Sequence, residues 1–212
     1  MAKKVEQAIE LQEIHVNTAI ITIEGDSDLV LNKMNAPTVR QLVDARKDKA
    51  KSNEKPNPWE CVITSIHWRD GDPAEYSEES LKEALKTNAP CITSFGMKKA
   101  IRDAVIRNGI DKYGTKLDSA LNIIANAGLI PITFAEHYID EKLMSPQRGK
   151  PVLVKLNRFS GWRSKFVIQF TENVYSADQI VNLINLAGFG GGIGSGRTSG
   201  YGRFHVVNVE NA

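Results

Sequence analysis

The sequence predicts an α+β fold in which an antiparallel sheet packs against helices. Alternating apolar residues, typical of half-buried strands, occur over 18–24, 162–170 and 204–209. Apolar residues at helical spacing occur over 94–108 and again after Ser176, where Ser176 and Gln179 form a capping-box pattern. When residues 69–128 are treated as a helical insertion, the remaining elements follow the order βαββαβ. This order is the ferredoxin-like arrangement, in which one sheet face is open.

Length and composition indicate one elaborated domain over residues 1–212. A hydrophobic content of 42% is enough for a packed core, and the net charge of +2 limits any nucleic-acid surface to a local stripe. No apolar run is long enough for a membrane span, and the start of the chain lacks an apolar signal segment. Cys61 and Cys91 are therefore expected as free thiols in a reducing cytoplasm.

The first strand, over 18–24, is followed by a turn that contains Asp26 and Asp28. A helix then begins near Ala36. Residues 59–68 are predicted as a second strand, because Val62, Thr64, Ile66 and Trp68 alternate. His67 lies on its other face and is interpreted as a structural or surface residue.

The region before the last helix contains several weaker elements. A short helix is predicted near 80–86, and the clearest amphipathic helix over 94–108. Residues 117–124 indicate a further helix, closed by Gly128. Residues 129–134 indicate a strand at a sheet edge, because Pro131 lacks an N–H donor. A polar connection over 136–149 and a strand over 150–157 follow.

Cationic residues accompany two of these elements. On the helix over 94–108, Lys98, Lys99 and Arg102 form either an ordinary solvated face or the lining of a nucleic-acid groove. On the strand over 162–170, one face is apolar and the other is cationic. Near its start, Arg158, Trp162, Arg163 and Lys165 place charge beside an aromatic ring, as single-strand binders do, although Trp162 is equally interpretable as a core cap.

The stretch over 188–204 contains eight of the sixteen glycines in the chain. A loop of this kind exposes successive backbone N–H groups, which can hold phosphate. Arg197 and Arg203 add charge, and Tyr201 offers a ring for base stacking. The alternative is a turn whose glycines only let a helix pack closely on a sheet. A dinucleotide fold is disfavoured, because its glycine turn follows a strand and precedes a helix, which is the reverse of the order here.

The order of helix, Gly-rich loop and strand, with Gly191, Gly192 and the run from Ser199 to Phe204, resembles the RAMP superfamily, whose members include backbone subunits of CRISPR effector complexes. The match in letters is confined to the C-terminal part of the chain. The resemblance implies a ferredoxin-like domain, RNA binding and head-to-tail oligomers. Residues 159–162 are also similar to segments of uncharacterised phage proteins. The chain is therefore identified as a phage-type member, acting in the cytoplasm of a bacterium or of an infected host cell.

The leading functional hypothesis is a non-catalytic protein that binds single-stranded nucleic acid. RNA is preferred over single-stranded DNA, and the chain associates with itself or with other RAMP-like subunits, without a cofactor. The residues assigned to binding are Gly191, Gly192, Gly194, Gly196, Arg197, Ser199, Gly200, Tyr201, Arg203, Arg158, Trp162, Arg163, Lys165, Lys98, Lys99 and Arg102.

Two alternatives belong to other classes of function. One is a phage subunit that caps, mimics or inhibits a CRISPR complex through protein contacts. The other is a metal-dependent endoribonuclease, because Asp26 and Asp28 together could hold Mg²⁺. The two carboxylates are also what a tight turn favours, and no Walker loop, zinc-ligand set or Ser-His-Asp order is present, so no catalysis is expected.

Overall fold

The computed structural model describes residues 13–46, 56–144 and 152–211. The strands are β1 (Val16–Gly25), β2 (Leu29–Leu31), β3 (His67–Trp68), β4 (Pro90–Thr93), β5 (Leu121–Ile124), β6 (Leu129–Thr133), β7 (Glu136–Met144), β8 (Val152–Ser160), β9 (Arg163–Thr171) and β10 (Phe204–Asn211). The helices are α1 (Ala36–Arg46), α2 (Pro58–Ile63), α3 (Glu78–Thr87), α4 (Ser94–Arg107), α5 (Thr115–Ala120) and α6 (Ala177–Gly190). Across these residues, no helix combines the length and apolarity that crossing a bilayer requires.

Four strands and two helices form the central layer. The sheet runs in the order β10, β1, β9 and β5, and every pair is antiparallel. α4 and α6 pack against each other, α4 also contacts β5, and α6 also contacts β10. Along the chain these elements follow the order β1, α4, β5, β9, α6, β10. This connectivity and strand order make the fold α+β and ferredoxin-like, as the sequence predicts.

The strand β9 illustrates why the sheet forms. Phe166, Ile168 and Phe170 alternate along it and are at most 4% exposed, in one cluster with apolar residues of α4 and α6. Arg163 and Lys165 point to the opposite face and are exposed. Each buried apolar side chain of this size contributes about 1.5–3 kcal/mol on transfer from water. The predicted division of this strand into an apolar and a cationic face is therefore confirmed.

Two additions extend the central layer. Beyond β9 the same sheet continues through β6, β4 and β3. A second sheet has the order β2, β8, β7, with β7 and β8 paired along their whole lengths. The segment 69–128, which the sequence indicates as an insertion, contains α4 and β5 of the central layer. The long connection between β1 and α4 covers residues 26–93. The division of one domain over 1–212, with an insertion over 69–128, stays a prediction.

The strand predicted over 59–68 is wrong, because residues 58–63 form the helix α2. Pro58 begins α2, where a backbone N–H has no hydrogen-bond partner within the helix, so the N–H that proline lacks is not needed. The Asn57 side chain accepts from the Trp59 N–H at 2.9 Å and caps the helix. Only His67 and Trp68 are in a strand. The local capping signals therefore outweigh the apolar alternation that suggested a strand.

Three other element predictions need correction. The helix predicted over 117–124 ends at Ala120, and residues 121–124 form β5, which pairs with β9. β6 is not an edge strand, because it lies between β9 and β4. Pro131 is accommodated there because β6 pairs with β9 only from Ile132 onward. The polar connection predicted over 136–149 contains the strand β7.

Candidate nucleic-acid interface

The Gly-rich loop covers residues 191–203, between the end of α6 and the start of β10. A Cβ at Gly188 would lie 1.9 Å from the Phe204 carbonyl oxygen, and one at Gly202 would lie 1.8 Å from the Ile193 carbonyl oxygen. At these two positions glycine is required by close packing, as the alternative interpretation of the loop stated. The glycines of the loop with positive φ are Gly192, Gly194, Gly196, Gly200 and Gly202.

Other parts of the loop remain open. Gly200 has φ +86°, and a Cβ there would meet nothing within 4 Å. Gly194, Gly196 and Ser199 are also exposed, and Ser199 lies in a 3-10 turn with Arg197. Gly191 and Gly192 instead donate their N–H groups to the Ala187 carbonyl oxygen, at 2.9 and 2.8 Å, and so end α6. The loop therefore divides into a packed base and an exposed tip.

The turn at residues 26–28 holds this loop in place. The Asp26 N–H donates to the Arg203 carbonyl oxygen at 2.8 Å. The Ser27 hydroxyl donates to the Gly200 carbonyl oxygen at 2.8 Å and accepts from the Arg203 N–H at 2.9 Å. The loop is thus an ordered surface whose shape depends on the residues that follow β1.

Next to the loop, the Arg158 guanidinium lies between two tyrosine rings. Its central carbon is 4.8 Å from the ring centroids of both Tyr138 and Tyr201. Arg158 also pairs with Asp28 at 2.6 Å and with Asp140 at 3.1 Å. Arg158 therefore links strand β8, strand β7, the turn after β1 and the loop. Its charge is already matched by carboxylates, so its main action is to position the two rings.

Two further hydrogen bonds involve the hydroxyl groups of Tyr138 and Tyr201. The Tyr138 hydroxyl donates to the Asp28 carboxylate, and this hydrogen bond raises the pKa of Tyr138. The Lys142 ammonium donates to the Tyr201 hydroxyl oxygen at 2.8 Å, and this bond raises the pKa of Lys142. Tyr138 is therefore neutral at physiological pH, and Lys142 is charged. The arrangement presents ring surface and positive charge at one place.

Arg197 and Lys99, both predicted from sequence, come together through one carboxylate. The Lys99 ammonium lies 3.3 Å from both carboxylate oxygens of Asp103, and the Arg197 guanidinium lies 3.9 Å from Asp103 Oδ2. The two cations belong to different elements, the helix α4 and the loop. One carboxylate shared by two cations leaves an excess of positive charge at this junction.

Trp162 is a core residue, as the second of its two interpretations from sequence stated, so its ring is not exposed for stacking. Its ring is 0% exposed, and its Nε1 donates to the Ser27 carbonyl oxygen at 2.8 Å. A Cβ at Gly25 would lie 2.1 Å from the same nitrogen, and the Phe204 ring packs edge-on against Trp162. The tryptophan thus supports the turn that holds the loop and does not face solvent.

The remaining α4 cations connect that helix to α5. Lys98 donates to the Asp118 carbonyl oxygen at 3.0 Å. Arg102 pairs with the Asp118 carboxylate at 2.8 Å and donates to the Tyr113 carbonyl oxygen at 2.6 Å. These contacts fit the interpretation of Lys98 and Arg102 as surface residues that stabilise the fold.

The cations of the sheet face are balanced by carboxylates. Arg163 pairs with Glu24 at 2.6 Å, and Lys165 pairs with Glu210 at 3.0 Å. Arg203 donates to the Phe189 carbonyl oxygen at 2.5 Å, near the C-terminal end of α6. Of the residues predicted to bind nucleic acid, the structure brings the Tyr201 ring and the cations Arg158, Arg197 and Lys99 together near the loop. The other predicted cations lie elsewhere or make structural contacts.

The two carboxylates considered for metal binding are occupied by protein partners. Asp26 contacts His205 at 2.7 Å, and Asp28 pairs with Arg158. In the described ranges, no group of three or more His, Cys, Asp or Glu side chains is arranged to hold a metal ion. An ion bound by both carboxylates would have to displace His205 and Arg158.

Sequence reasoning missed Tyr138 and Lys142, because residues 136–149 were interpreted as a loop. The signal that could have found them is the alternation of Tyr138, Asp140 and Lys142, which places all three on one face of a strand. That face is polar, so an apolar pattern search does not detect it.

No family model matches the sequence, and no curated protein matches it. Among solved structures, the chain resembles one chain in the cryo-EM structure of the type III-B Cmr-beta bound to cognate target RNA, with a TM-score of 0.50 and 10% identity. The alignment covers 92% of this chain and 60% of that chain, so the protein spans about three fifths of that chain's length. The chain also matches Cmr6 from Pyrococcus furiosus, with a TM-score of 0.41, 12% identity and coverage of 93% of this chain and 100% of that chain. The first of these likenesses shows a shared fold.

Proposed function

We propose that this chain is a RAMP-superfamily protein that binds single-stranded RNA along the tip of the Gly-rich loop. The observation that supports this most is the environment of the Tyr201 ring. Arg158 stacks on the ring, Lys142 donates a hydrogen bond to its hydroxyl, and the ring lies beside the exposed tip of the anchored loop. A base can stack on such a ring, while N–H groups and cations contact the backbone. The likeness to a chain of an RNA-bound complex supports RNA as the ligand.

The proposed activity is binding without catalysis, and assembly with other copies or with RAMP-like subunits is part of the same proposal. A phage origin and the protein-interaction alternative stay predictions from sequence. Size-exclusion chromatography with light scattering, with and without a long single-stranded RNA, tests the assembly. A mass that stays that of one protomer under both conditions would contradict it.

RNA binding is tested by fluorescence anisotropy with labelled single-stranded RNA, the same sequence as DNA, and duplex RNA. Affinity should fall linearly on a logarithmic plot against salt, with a slope of about −0.7 for each phosphate contacted. Single-stranded RNA should bind more tightly than duplex RNA. No binding of any single strand at low salt would overturn the proposal.

Substitution of Tyr201 tests the stacking role. Tyr201→Ala should weaken RNA binding by about 1–3 kcal/mol, because one base loses its stacking partner. Tyr113→Ala is the matched control, since Tyr113 is 61% exposed and lies at the α4–α5 connection. Equal affinities for the two variants would remove Tyr201 from the site.

A further inference from the structure

A cleft with a volume of about 210 Å³ is lined by part of the Gly-rich loop, and Tyr201 is not among its lining residues. Its walls come from the loop, from the residues at the end of β2, and from the junction of β4 with α4. Three cationic side chains reach it from three separate parts of the chain, namely Lys33, Lys99 and Arg197. Lys33 was not among the residues predicted from the sequence.

The carboxylates near the cleft do not cancel these cations. Lys33 pairs with Asp72 at 3.2 Å, and its own side chain is 26% exposed. Lys99 and Arg197 share Asp103, and the Arg197 contact is long, at 3.9 Å. Three cations with two carboxylates leave a net positive charge, which attracts an anion most strongly where the surface is concave.

Polar groups of the fold also favour the binding of an anion in the cleft. The cleft includes Gly96, in the first turn of the fourteen-residue helix α4, whose dipole favours negative charge at this end, although the Gly96 N–H itself donates to the Thr93 hydroxyl at 3.0 Å. His67 also lines the cleft, and burial lowers its pKa with a further contribution from Lys33. His67 is therefore neutral at physiological pH and offers a hydrogen bond.

We propose that this cleft binds one phosphate group of the nucleic-acid strand, held by Lys33, Lys99 and Arg197. The source of the phosphate rests on the proposed RNA binding, whereas the anion site itself rests on the cleft alone. Gly194 lines the cleft, and a Cβ at Gly196 would lie 2.7 Å from the Tyr201 ring, so the exposed tip of the loop connects the cleft with the ring. The phosphate is either a terminal monoester or an internal diester of that strand.

The test uses NMR titration of the ¹⁵N-labelled full chain with inorganic phosphate, adenosine 5′-monophosphate and the dinucleotide ApA, which has only an internal phosphodiester. Amide shifts should concentrate at residues 194–197 and 93–99. Preference for the monophosphate identifies a terminal phosphate, and preference for ApA identifies an internal one. Absence of shifts at the cleft amides with all three probes would overturn the inference.

Variants make the assignment specific. Lys33→Ala and Arg197→Ala should each weaken monophosphate binding about tenfold, whereas Lys33→Arg should retain it within about twofold. Lys86→Ala, in the exposed face of α3, is the control with an equal change of charge. Circular dichroism establishes that each variant is folded. An unchanged affinity in folded Lys33→Ala would assign the phosphate to another surface.

The anisotropy measurements separate this inference from the proposed function. If the wild type binds RNA but the cleft amides do not respond to phosphate, the cleft inference fails and RNA binding stands. If the cleft responds to phosphate but no oligonucleotide binds, the anion site stands and the nucleic-acid source is wrong.

Discussion

Arg158 shows how a cationic residue near a site can act through its neighbours. From sequence it was assigned to contact nucleic acid, but in the structure its guanidinium is matched by Asp28 and Asp140 and is only 21% exposed. The same group lies against Tyr138 and Tyr201. A flat, delocalised cation suits this position because it can stack on rings and donate to carboxylates at once.

Because carboxylates already match its charge, loss of Arg158 should mainly lower the stability of the fold and should have less effect on the charge of the surface. We expect Arg158→Ala to lower the free energy of unfolding by about 1–3 kcal/mol, because two half-buried carboxylates lose their partner. Arg69→Ala should change it much less, since both Arg69 and its partner Asp70 are at least half exposed. Urea denaturation of both variants gives the comparison, and equal losses would mean that Arg158 is an ordinary surface residue.

At the scale of elements, the Gly-rich loop contains glycines of two kinds. Gly202 has φ +70° and no space for a Cβ, whereas Gly200 has φ +86° and open space around it. Both positions impose a left-handed backbone, but only the first also has a steric overlap. Alanine substitutions at the two positions therefore separate the cost of backbone strain from the cost of overpacking.

The two substitutions should differ clearly in stability. Gly202→Ala is expected to lower the free energy of unfolding by about 3–5 kcal/mol, since strain and overpacking add. Gly200→Ala should lower it by about 1–2 kcal/mol, from strain alone. Thermal and urea denaturation measure both, and a Gly202→Ala protein as stable as Gly200→Ala would show that the loop base relaxes freely.

A buried polar contact joins the second sheet to α2. Asn157 is fully buried and donates through Nδ2 to the Val62 carbonyl oxygen and to the Ser65 hydroxyl, both at 2.9 Å. These bonds fix the orientation of its amide, so Asn157 Oδ1 accepts from His137 Nε2 at 2.9 Å. Burial lowers the pKa of His137 below its ordinary value of 6.5.

This shift makes stability depend on pH. A depressed pKa means that the unfolded chain binds a proton more readily than the folded chain, so stability is lost as pH falls from about 6.5 through the folded value. The drop in the free energy of unfolding between pH 7.5 and pH 5 should be smaller in His137→Gln than in the wild type. Identical drops in the two proteins would mean that other groups cause the pH dependence.

For the whole molecule, the parts predictable from sequence are those whose signals are local. The alternation at Phe166, Ile168 and Phe170 and the capping box at Ser176 each lie within one element, and both predictions are confirmed. The predicted fold class is confirmed, but two of its elements lie elsewhere than the sequence indicated, because α4 and β5 fall within the segment interpreted as an insertion and residues 59–68 are not a strand of the central layer. The local signals therefore identify β1, β9, α6 and β10 and leave the other half of the central layer to contacts between distant residues.

The second sheet and most of the candidate site could not be obtained in this way. The partners Arg158 and Asp28 are 130 positions apart, and no local pattern connects them. β7 was missed because the period of two is marked there by polar residues such as Tyr138 and Lys142, which a search for apolar alternation passes over. The sequence leaves Trp162 open between a stacking role and a core position, because sequence alone does not show that Gly25 leaves space for its ring.

The attachment of the Gly-rich loop to the turn after β1 also constrains when the loop can form. The hydrogen bonds from Ser27 join residues 173 and 176 positions apart. Contacts of such separation close very large chain loops, whose closure entropy must be overcome before the contacts stabilise the fold. On the ribosome, β1 and its turn emerge long before residues 200–203 are made. The surface that we assign to RNA therefore cannot form until residue 203 has left the ribosome.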